Sequence, residues 1–576
     1  MARIGVFIDG SRGRIPPSFR EKIVALVKEY PEVAFCKEEE VLTSLEGIER
    51  MKKCLEAGGI DRLVIIGESP KRYESSFQKW GHLIPLNPYL VAVANVESQA
   101  LGFAEDEGEA LERAKAAISK AMRLVSASRP IETQSIPLNP EALVLGGGIV
   151  GISIAQSLAQ AGIHVTLVEK GEQCGGRASE LRTLYNRPEE VQKWIEEKVV
   201  AIKKNPRITL MTRSELRQVE GHIGQFKAKI RGYDGTETDL SPSAIVVATG
   251  YATQRDKTKD LYRHKRVVSL SEMERLLSET TGLFLRWEGK SVERVTYLLD
   301  QVDEDLKIDS INAIKQSLLF QEKFGGQVAI LCRDVKVSAD GMERLYRKAR
   351  EKGALFFKYD EPPQVFLEED LIRVDVKDTA AIQKDERWPV SIPSDLLIVG
   401  EAFVPNPETE RLSQLLKIHT GDRGFMMEDN PQLLRVRSNR RGVFVGGGCR
   451  FPQEISESLI EARALVQEVV GLLSGGSYTF DLAVAEIDPK KCAVCYTCPR
   501  LCPHSAITIE KYAERNTYAP PGIAEGTGGE TQWGAAKVNP AACYGCGICV
   551  AECPAKAITF HHLNDEQIYA QMGLSL

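Results

Sequence analysis

Eight of the chain's 13 cysteines fall within its last 85 residues, in two groups of identical spacing. Cys492, Cys495, Cys498 and Cys502 are followed by Pro503, and Cys543, Cys546, Cys549 and Cys553 by Pro554. Each group reads C-x2-C-x2-C-x3-C-P, the run that binds [4Fe–4S] clusters in two-cluster bacterial ferredoxins. Three thiolates close in sequence wrap one face of a cubane, and a remote fourth completes it. In that arrangement the fourth cysteine of each run serves the other cluster. The expected sets are Cys492, Cys495, Cys498 with Cys553, and Cys543, Cys546, Cys549 with Cys502. Shared ligation of this kind brings two clusters within electron-hopping range. Zinc asks for four ligands, usually from two C-x2-C pairs. A disulfide framework suits a short secreted chain. Two copies of the longer run, each with its proline, fit neither. Clustered thiols in a large chain whose first residues do not form a signal peptide point to metal in a reducing cytoplasm. The Gly/Pro-rich stretch YAPPGIAEGTGG between the groups reads as a surface loop.

A second chemistry-bearing pattern lies in ALVLGGGIVGISIAQSLAQAGIHVTLVEK, residues 142–170. Gly146-x-Gly148-x-x-Gly151 follows an apolar strand and opens a helix. Glu169 stands 18 residues beyond Gly151, at the end of the next strand. In this context the motif predicts a dinucleotide site. Gly146 makes the turn, Gly148 admits the pyrophosphate, and Gly151 lets helix and strand pack. The phosphates meet the helix N-terminus, and Glu169, with Lys170 beside it, faces the adenosine ribose. Three later features favour FAD: Gly175, Gly176 and Arg177 just after Glu169, the ATG of Ala248, Thr249 and Gly250, and the strand GVFVGGG ending in Gly447 and Gly448. Together they are similar to the FAD domain of two-dinucleotide-binding flavoproteins such as thioredoxin reductases. In those enzymes an acidic residue often follows the last glycine pair, where this chain has Gly448. No G-x-G-x-x-G follows the strand VERVTYLL, so nicotinamide binding has no support in the sequence. No C-x-x-C lies outside the tail, which argues against a dithiol reductase.

These residues need several domains to position them. At roughly 100 to 200 residues per domain, 576 residues imply about three to five. The hydrophobic share of 43% and charged share of 27% are those of a globular protein. A net charge of -6 argues against nucleic acid as the main partner. No apolar run approaches the roughly 18 residues of a membrane span. Residues 1–137 read as a small α/β domain, with buried strands at 3–8 and 62–66 and helices near 20–30 and 108–125. A polar, proline-bearing linker ends it. Residues 138–255 form the first part of an FAD domain, 256–395 an inserted second dinucleotide-type α/β domain, 396–480 the second part of the FAD domain, and 481–576 the ferredoxin domain. DLLIVG (395–400) and GVFVGGG (442–448) read as strands returning to the first FAD sheet, and 454–474 as a helix. Cys36, Cys54 and Cys332 read as core, Cys449 as a packed thiol, His561 and His562 as exposed, and Arg333 with Asp334 as an ion pair. Cys174 lies in the loop before Gly175, and Arg177 is placed to neutralise phosphate or flavin.

Several segments together resemble the A-subunit family of heterodisulfide reductases. RIGVFIDG, RLVIIGESPKRYE and LNPYLVAVANVES match its N-terminal region, and the Gly-rich segment with GGR matches its flavin domain. AIKQSLLFQEKFGGQVAILCRDVKV (313–337) and VFVGGGCRFPQEISESLIEARA match its middle and its late FAD motif. The resemblance covers nearly the whole chain. It implies an α/β protein comprising a small N-terminal domain, a thioredoxin-reductase-like FAD domain with an inserted α/β domain, and a two-cluster (α+β) ferredoxin domain. Its cofactors would be FAD and two [4Fe–4S] clusters. It implies an electron-transfer oxidoreductase component of an oligomeric complex, with a cysteine-rich catalytic subunit, an iron–sulfur linker subunit or a ferredoxin as partner. It leaves peripheral attachment to a membrane complex open. Family members tend to carry further cluster cysteines, whereas here Asp309 and Ser310 precede AIKQ and DGSRG stands near the start. Two clusters are therefore expected. Where electron-bifurcating members tend to have lysine near the flavin, this chain has Gln453. Two other readings remain open: a self-sufficient NAD(P)H oxidoreductase resembling the glutamate synthase small subunit, and an assembly module with a structural flavin.

Overall fold

The computed structural model describes residues 3–10, 14–73, 84–185, 191–255, 260–300, 307–368, 371–379, 389–512 and 533–574. The stretch YAPPGIAEGTGG lies outside them. The chain divides into two compact units, Met1–Ser135 with Thr479–Leu576, and Ile136–Tyr478. Among the described residues no helix is long and apolar enough to cross a membrane.

In the first unit a four-stranded parallel sheet runs Val33–Glu39, Ile4–Asp9, Arg62–Gly67, Val91–Asn95. Its two central strands are almost wholly buried, as continuous apolar runs covered on both faces must be. The helix Pro17–Val27 starts with proline in its first turn. The helix Glu107–Ala127 is capped by Asp106, which accepts from Glu109 N at 2.8 Å. Onto that helix folds the last helix of the chain, Asp565–Met572. Gln567 is buried there and donates to Ser128 Oγ at 3.4 Å, while Arg129 pairs with Glu566 at 3.1 Å. The cysteine tail and the N-terminal sheet thus share one unit, although hundreds of residues separate them. His562 departs from its expected exposure: it packs edge-on against Tyr89 with ring centroids 4.9 Å apart, and burial lowers its pKa.

The second unit contains two five-stranded parallel sheets of like order. One runs Val443–Val445, Ala244–Val247, Glu141–Leu145, His164–Val168, Ile208–Met211. The other runs Val267–Ser269, Leu396–Val399, Arg294–Leu298, Gln327–Cys332, Leu355–Lys358. One dinucleotide-type fold is inserted in the other. DLLIVG is corrected here: Leu396–Val399 lies inside the second sheet and does not return to the first. Its four residues are all buried. An apolar run without alternation is equally at home in either parallel sheet, so pattern alone does not say which sheet it joins. The chain passes between the folds through one antiparallel pair, Tyr251–Gln254 against Ala402–Pro405. Asp334 is likewise corrected, because its partner is Lys358 at 2.6 Å, and Arg333 instead donates its backbone N–H to Asp300 at 2.9 Å.

Candidate flavin cavity and cluster centres

The turn after Glu141–Leu145 is as tight as three glycines permit. A Cβ on Gly151 would lie 1.9 Å from Gly146 O, so the helix Ile149–Gln160 packs on the turn only with glycine there. Gly146 itself adopts φ 108°, a backbone region that favours glycine. Gly148 has open space where a Cβ would stand. It borders a cavity of about 310 Å³ in the second unit. Glu169 is fixed at the rim by two backbone amides, Gly147 N at 2.6 Å and Gly171 N at 2.7 Å. Lys170 reaches Asn406 at 3.0 Å and Glu408 at 3.2 Å.

Nine of the candidate residues line this cavity: Gly146, Gly148, Glu169, Lys170, Gly176, Arg177, Thr249, Gly250 and Gly448. Gly151 lies beneath the turn. Gly447 also stays off the wall, with φ 72° and its N–H donated to Glu461 at 2.7 Å. Gly448 is needed because a Cβ there would meet the Tyr251 ring at 2.5 Å. Arg177 lies over that ring, 5.3 Å from its centroid, and donates to Thr253 Oγ1 at 3.0 Å and Ser271 Oγ at 3.4 Å. These partners place the guanidinium by the strand Tyr251–Gln254 and the inserted fold.

The residues present fit FAD. The open space at Gly148 and Gly250 is a cradle that a Cβ would fill. The buried Thr249 Oγ1 has no hydrogen-bond partner among the described residues. The helix Ile149–Gln160 directs its N-terminus at the wall, where an anionic pyrophosphate is stabilised.

Sequence reasoning missed the inserted fold's share of the wall. Lys315 and Glu274 are 6% and 2% exposed and pair at 2.9 Å. Glu274 also takes Gln316 Nε2 at 2.9 Å and Arg182 N at 2.9 Å, and Lys315 donates to Thr183 O at 3.1 Å. Lys315, Glu274 and Gln316 line the cavity, as do Ser271 and Glu401, whose hydrogen bond is 2.5 Å long. A lysine inside the apolar helix segment AIKQSLLF was the available signal, since a buried ammonium requires a partner. Lys315→Met, which strands the Glu274 carboxylate, is expected to cost roughly 3–5 kcal/mol, measured by denaturant unfolding. A cost below about 1 kcal/mol would show that the pair is not held as described. Cys174 packs against the core, and burial raises its thiol pKa to about 11. Cys449 is fully buried beside Val247 O and Gly446 O, also at about 11. Neither thiol lines the cavity.

The cysteine tail is a structural repeat as well as a sequence repeat. Ala485–Ile487 pairs with Ile558–Phe560, and Ile507–Tyr512 with Trp533–Val538. Each half has left-handed residues at matching places: Val494 and Tyr496 in one, Gly545 and Gly547 in the other, then Ser505 and Lys556. Val494 takes φ 52°, a strained value for a β-branched residue, where the second half uses glycine. Cys492, Cys495, Cys498 and Cys553 line a single small cavity. Burial pushes the Cys498 thiol up to about 12, reinforced by charge on Cys492 and Cys495. Cys549 is pushed to about 11, first by burial and then by Cys543, Cys502 and Cys546. Backbone N–H groups meet the crossing thiols, Ala506 N at 3.3 Å from Cys502 Sγ and Ala557 N at 3.3 Å from Cys553 Sγ. Four thiols lining one small cavity ionise together only against a positive core, so the donor set fits an iron–sulfur cluster.

Comparison with known proteins agrees. Residues 144–194 match a family model described as an NAD(P)-binding Rossmann-like domain, and residues 487–557 one described as a 4Fe-4S dicluster domain. The chain is 24% identical to one of the iron-sulfur A-subunits of CoB–CoM heterodisulfide reductase from Methanopyrus kandleri, over 88% of this chain and 91% of that one. It is 25% identical to a protein of Archaeoglobus profundus that is itself described as like the heterodisulfide reductase A-subunit, over 89% and 92%. It is also 25% identical to the A-subunit of an H(2):CoB-CoM heterodisulfide,ferredoxin reductase from Methanothermobacter thermautotrophicus, over 84% and 86%. Thioredoxin reductase of Lactococcus lactis superposes with a TM-score of 0.41 and 17% identity, covering 58% of this chain and 99% of that one.

Proposed function

We propose that this chain, which is like the A-subunits of heterodisulfide reductases over most of its length and is a flavin and iron–sulfur electron-transfer oxidoreductase, acts as a relay. It carries electrons between one FAD and two [4Fe–4S] clusters and exchanges them with partner subunits. Gly146, Gly148, Gly151, Glu169, Lys170, Gly176, Arg177, Thr249, Gly250, Gly447 and Gly448 serve the FAD. Cys492, Cys495, Cys498 and Cys553 hold one cluster, and Cys543, Cys546, Cys549 and Cys502 the other. The domain limits expected from the sequence are kept in this reading, except that the inserted domain extends through the strand Leu396–Val399. The partners are a cysteine-rich catalytic subunit with an iron–sulfur subunit, or a ferredoxin, in the cytoplasm. One observation supports the reading: a chain whose Gly-rich dinucleotide turn borders a cavity of about 310 Å³ also carries two C-x2-C-x2-C-x3-C-P runs, and Cys492, Cys495 and Cys498 of the first line one small cavity with Cys553 of the second.

FAD supplies the change between two-electron and one-electron transfer, and the clusters carry single electrons. The protein binds, spaces and tunes them. The Gly148 cradle and helix N-terminus take the pyrophosphate, Glu169 orients the ribose, and the buried Lys315–Glu274 pair holds the inserted fold's wall in place. The backbone N–H groups of Ala506 and Ala557 are directed at Cys502 Sγ and Cys553 Sγ, where hydrogen bonds to cluster sulfurs would tune the potential.

The inserted fold has the sheet of a nucleotide domain, but no G-x-G-x-x-G follows its strand Arg294–Leu298. Just past that strand Asp300 is a buried acidic group, accepting from Lys336 at 2.5 Å and from Arg333 N at 2.9 Å, and a carboxylate there disfavours an anionic pyrophosphate. Dithionite is therefore expected to bleach both flavin and clusters, while NADH leaves the flavin oxidised for minutes in a stopped-flow trace. Flavin reduction by NADH within a second would overturn the relay reading in favour of a self-sufficient NAD(P)H oxidoreductase.

A further inference from the structure

The strand Val443–Val445 runs into residues 446–454, of which Gly448, Gln453 and Glu454 form part of the cavity wall. That wall is tied from behind by Glu461, on the helix Ile455–Leu473. One carboxylate oxygen accepts from Gly447 N at 2.7 Å and from Gln453 Nε2 at 2.7 Å. The other pairs with Arg450. Arg450 continues to Glu428 at 2.8 Å. The Glu461 and Arg450 side chains are each 12% exposed, and neither lines the cavity. A buried ion pair is weak evidence for stability, because apolar residues of similar volume often serve as well. This one fixes the loop at two points and sets two opposite charges directly behind the wall.

We propose that Glu461 and Arg450 are positioning residues for the flavin. Glu461 holds the wall at Gly447 and Gln453, and the balance of the two charges sets the potential at which the flavin is reduced. The inference rests on the FAD reading of the cavity. It carries a test of sign. Glu461→Gln keeps the shape and removes the negative charge, so Arg450 retains only Glu428 and the electron-rich reduced flavin is favoured. Arg450→Gln leaves Glu461 uncompensated and favours the oxidised flavin. Arg450→Lys keeps the charge. A tie with structural significance alone would weaken FAD retention in both neutral variants and move the potential in neither direction consistently.

The full-length protein is purified anaerobically, supplied with excess FAD so that weakened binding does not hide the sign, and poised with a reference dye at the wild-type flavin midpoint. The ratio of reduced to oxidised flavin, read from its spectrum, is expected to rise roughly tenfold in Glu461→Gln and fall roughly tenfold in Arg450→Gln. Arg450→Lys should stay near the wild type. Shifts of the same sign, or none, in variants that bind FAD overturn the inference. A wild-type chain that binds no FAD overturns the cavity reading instead, and the inference with it.

Discussion

Cys553→Ser is expected to abolish the cluster whose other ligands, Cys492, Cys495 and Cys498, stand far upstream in the first run. Cys553 lines the same small cavity as those three and receives Ala557 N–H at 3.3 Å. With serine in its place three thiolates remain, and a [4Fe–4S] cubane requires a fourth ligand. The iron content should fall from about eight to about four per chain. Cys502→Ser should spare that cluster and empty the one formed by Cys543, Cys546 and Cys549. Low-temperature EPR of the dithionite-reduced variants distinguishes the two losses. In the wild type, two neighbouring reduced clusters give a spin-coupled spectrum, and each variant should show the simple signal of one. If Cys553→Ser instead removed the Cys543 cluster, ligation would be local within each run and the crossed assignment would be wrong.

Gly151→Val should abolish flavin binding although Gly151 itself does not line the cavity. Its Cβ would lie 1.9 Å from Gly146 O, a distance no rotamer relieves because both partners are fixed to the backbone. The helix Ile149–Gln160 must then lift from the turn and carry away the N-terminus that meets the pyrophosphate. Overpacking of this kind costs roughly 1–3 kcal/mol or more in stability, and the loss in FAD affinity should exceed about a hundredfold. Isothermal titration of the apoprotein with FAD, alongside thermal unfolding, measures both. Normal affinity would mean that the dinucleotide turn is not the binding element. Gly148→Ala is the informative partner: its Cβ meets nothing within 4 Å in the protein, so it should fold normally and still bind FAD weakly.

These two sites are legible in the sequence for different reasons. The cysteine runs declare themselves because cubane ligation constrains spacing along the chain. The Gly-rich turn does so because the motif, its strand and Glu169 all lie within one βαβ unit. What the sequence conceals depends on contacts between distant segments. Lys315 and Glu274 lie 41 residues apart, and only the packing of Leu270–Glu279 against Lys307–Phe324 brings them together. Leu396–Val399 reads as part of the wrong sheet because a fully buried strand carries no mark of its neighbours. The docking of Asp565–Met572 on Glu107–Ala127 joins the two ends of the first unit through Gln567 and Ser128, polar residues that elsewhere would read as surface. His562 reads as exposed for the same reason: Tyr89, the ring that covers it, is far away in sequence.

The central claim is that one chain holds a flavin and two four-cysteine clusters as an electron path. Anaerobic purification followed by quantitation of iron, acid-labile sulfide and released flavin tests it most directly. The account expects about eight irons, about eight sulfides and one FAD per chain. Zinc in place of iron and sulfide, or a chain that retains no FAD at saturating concentration, would contradict it.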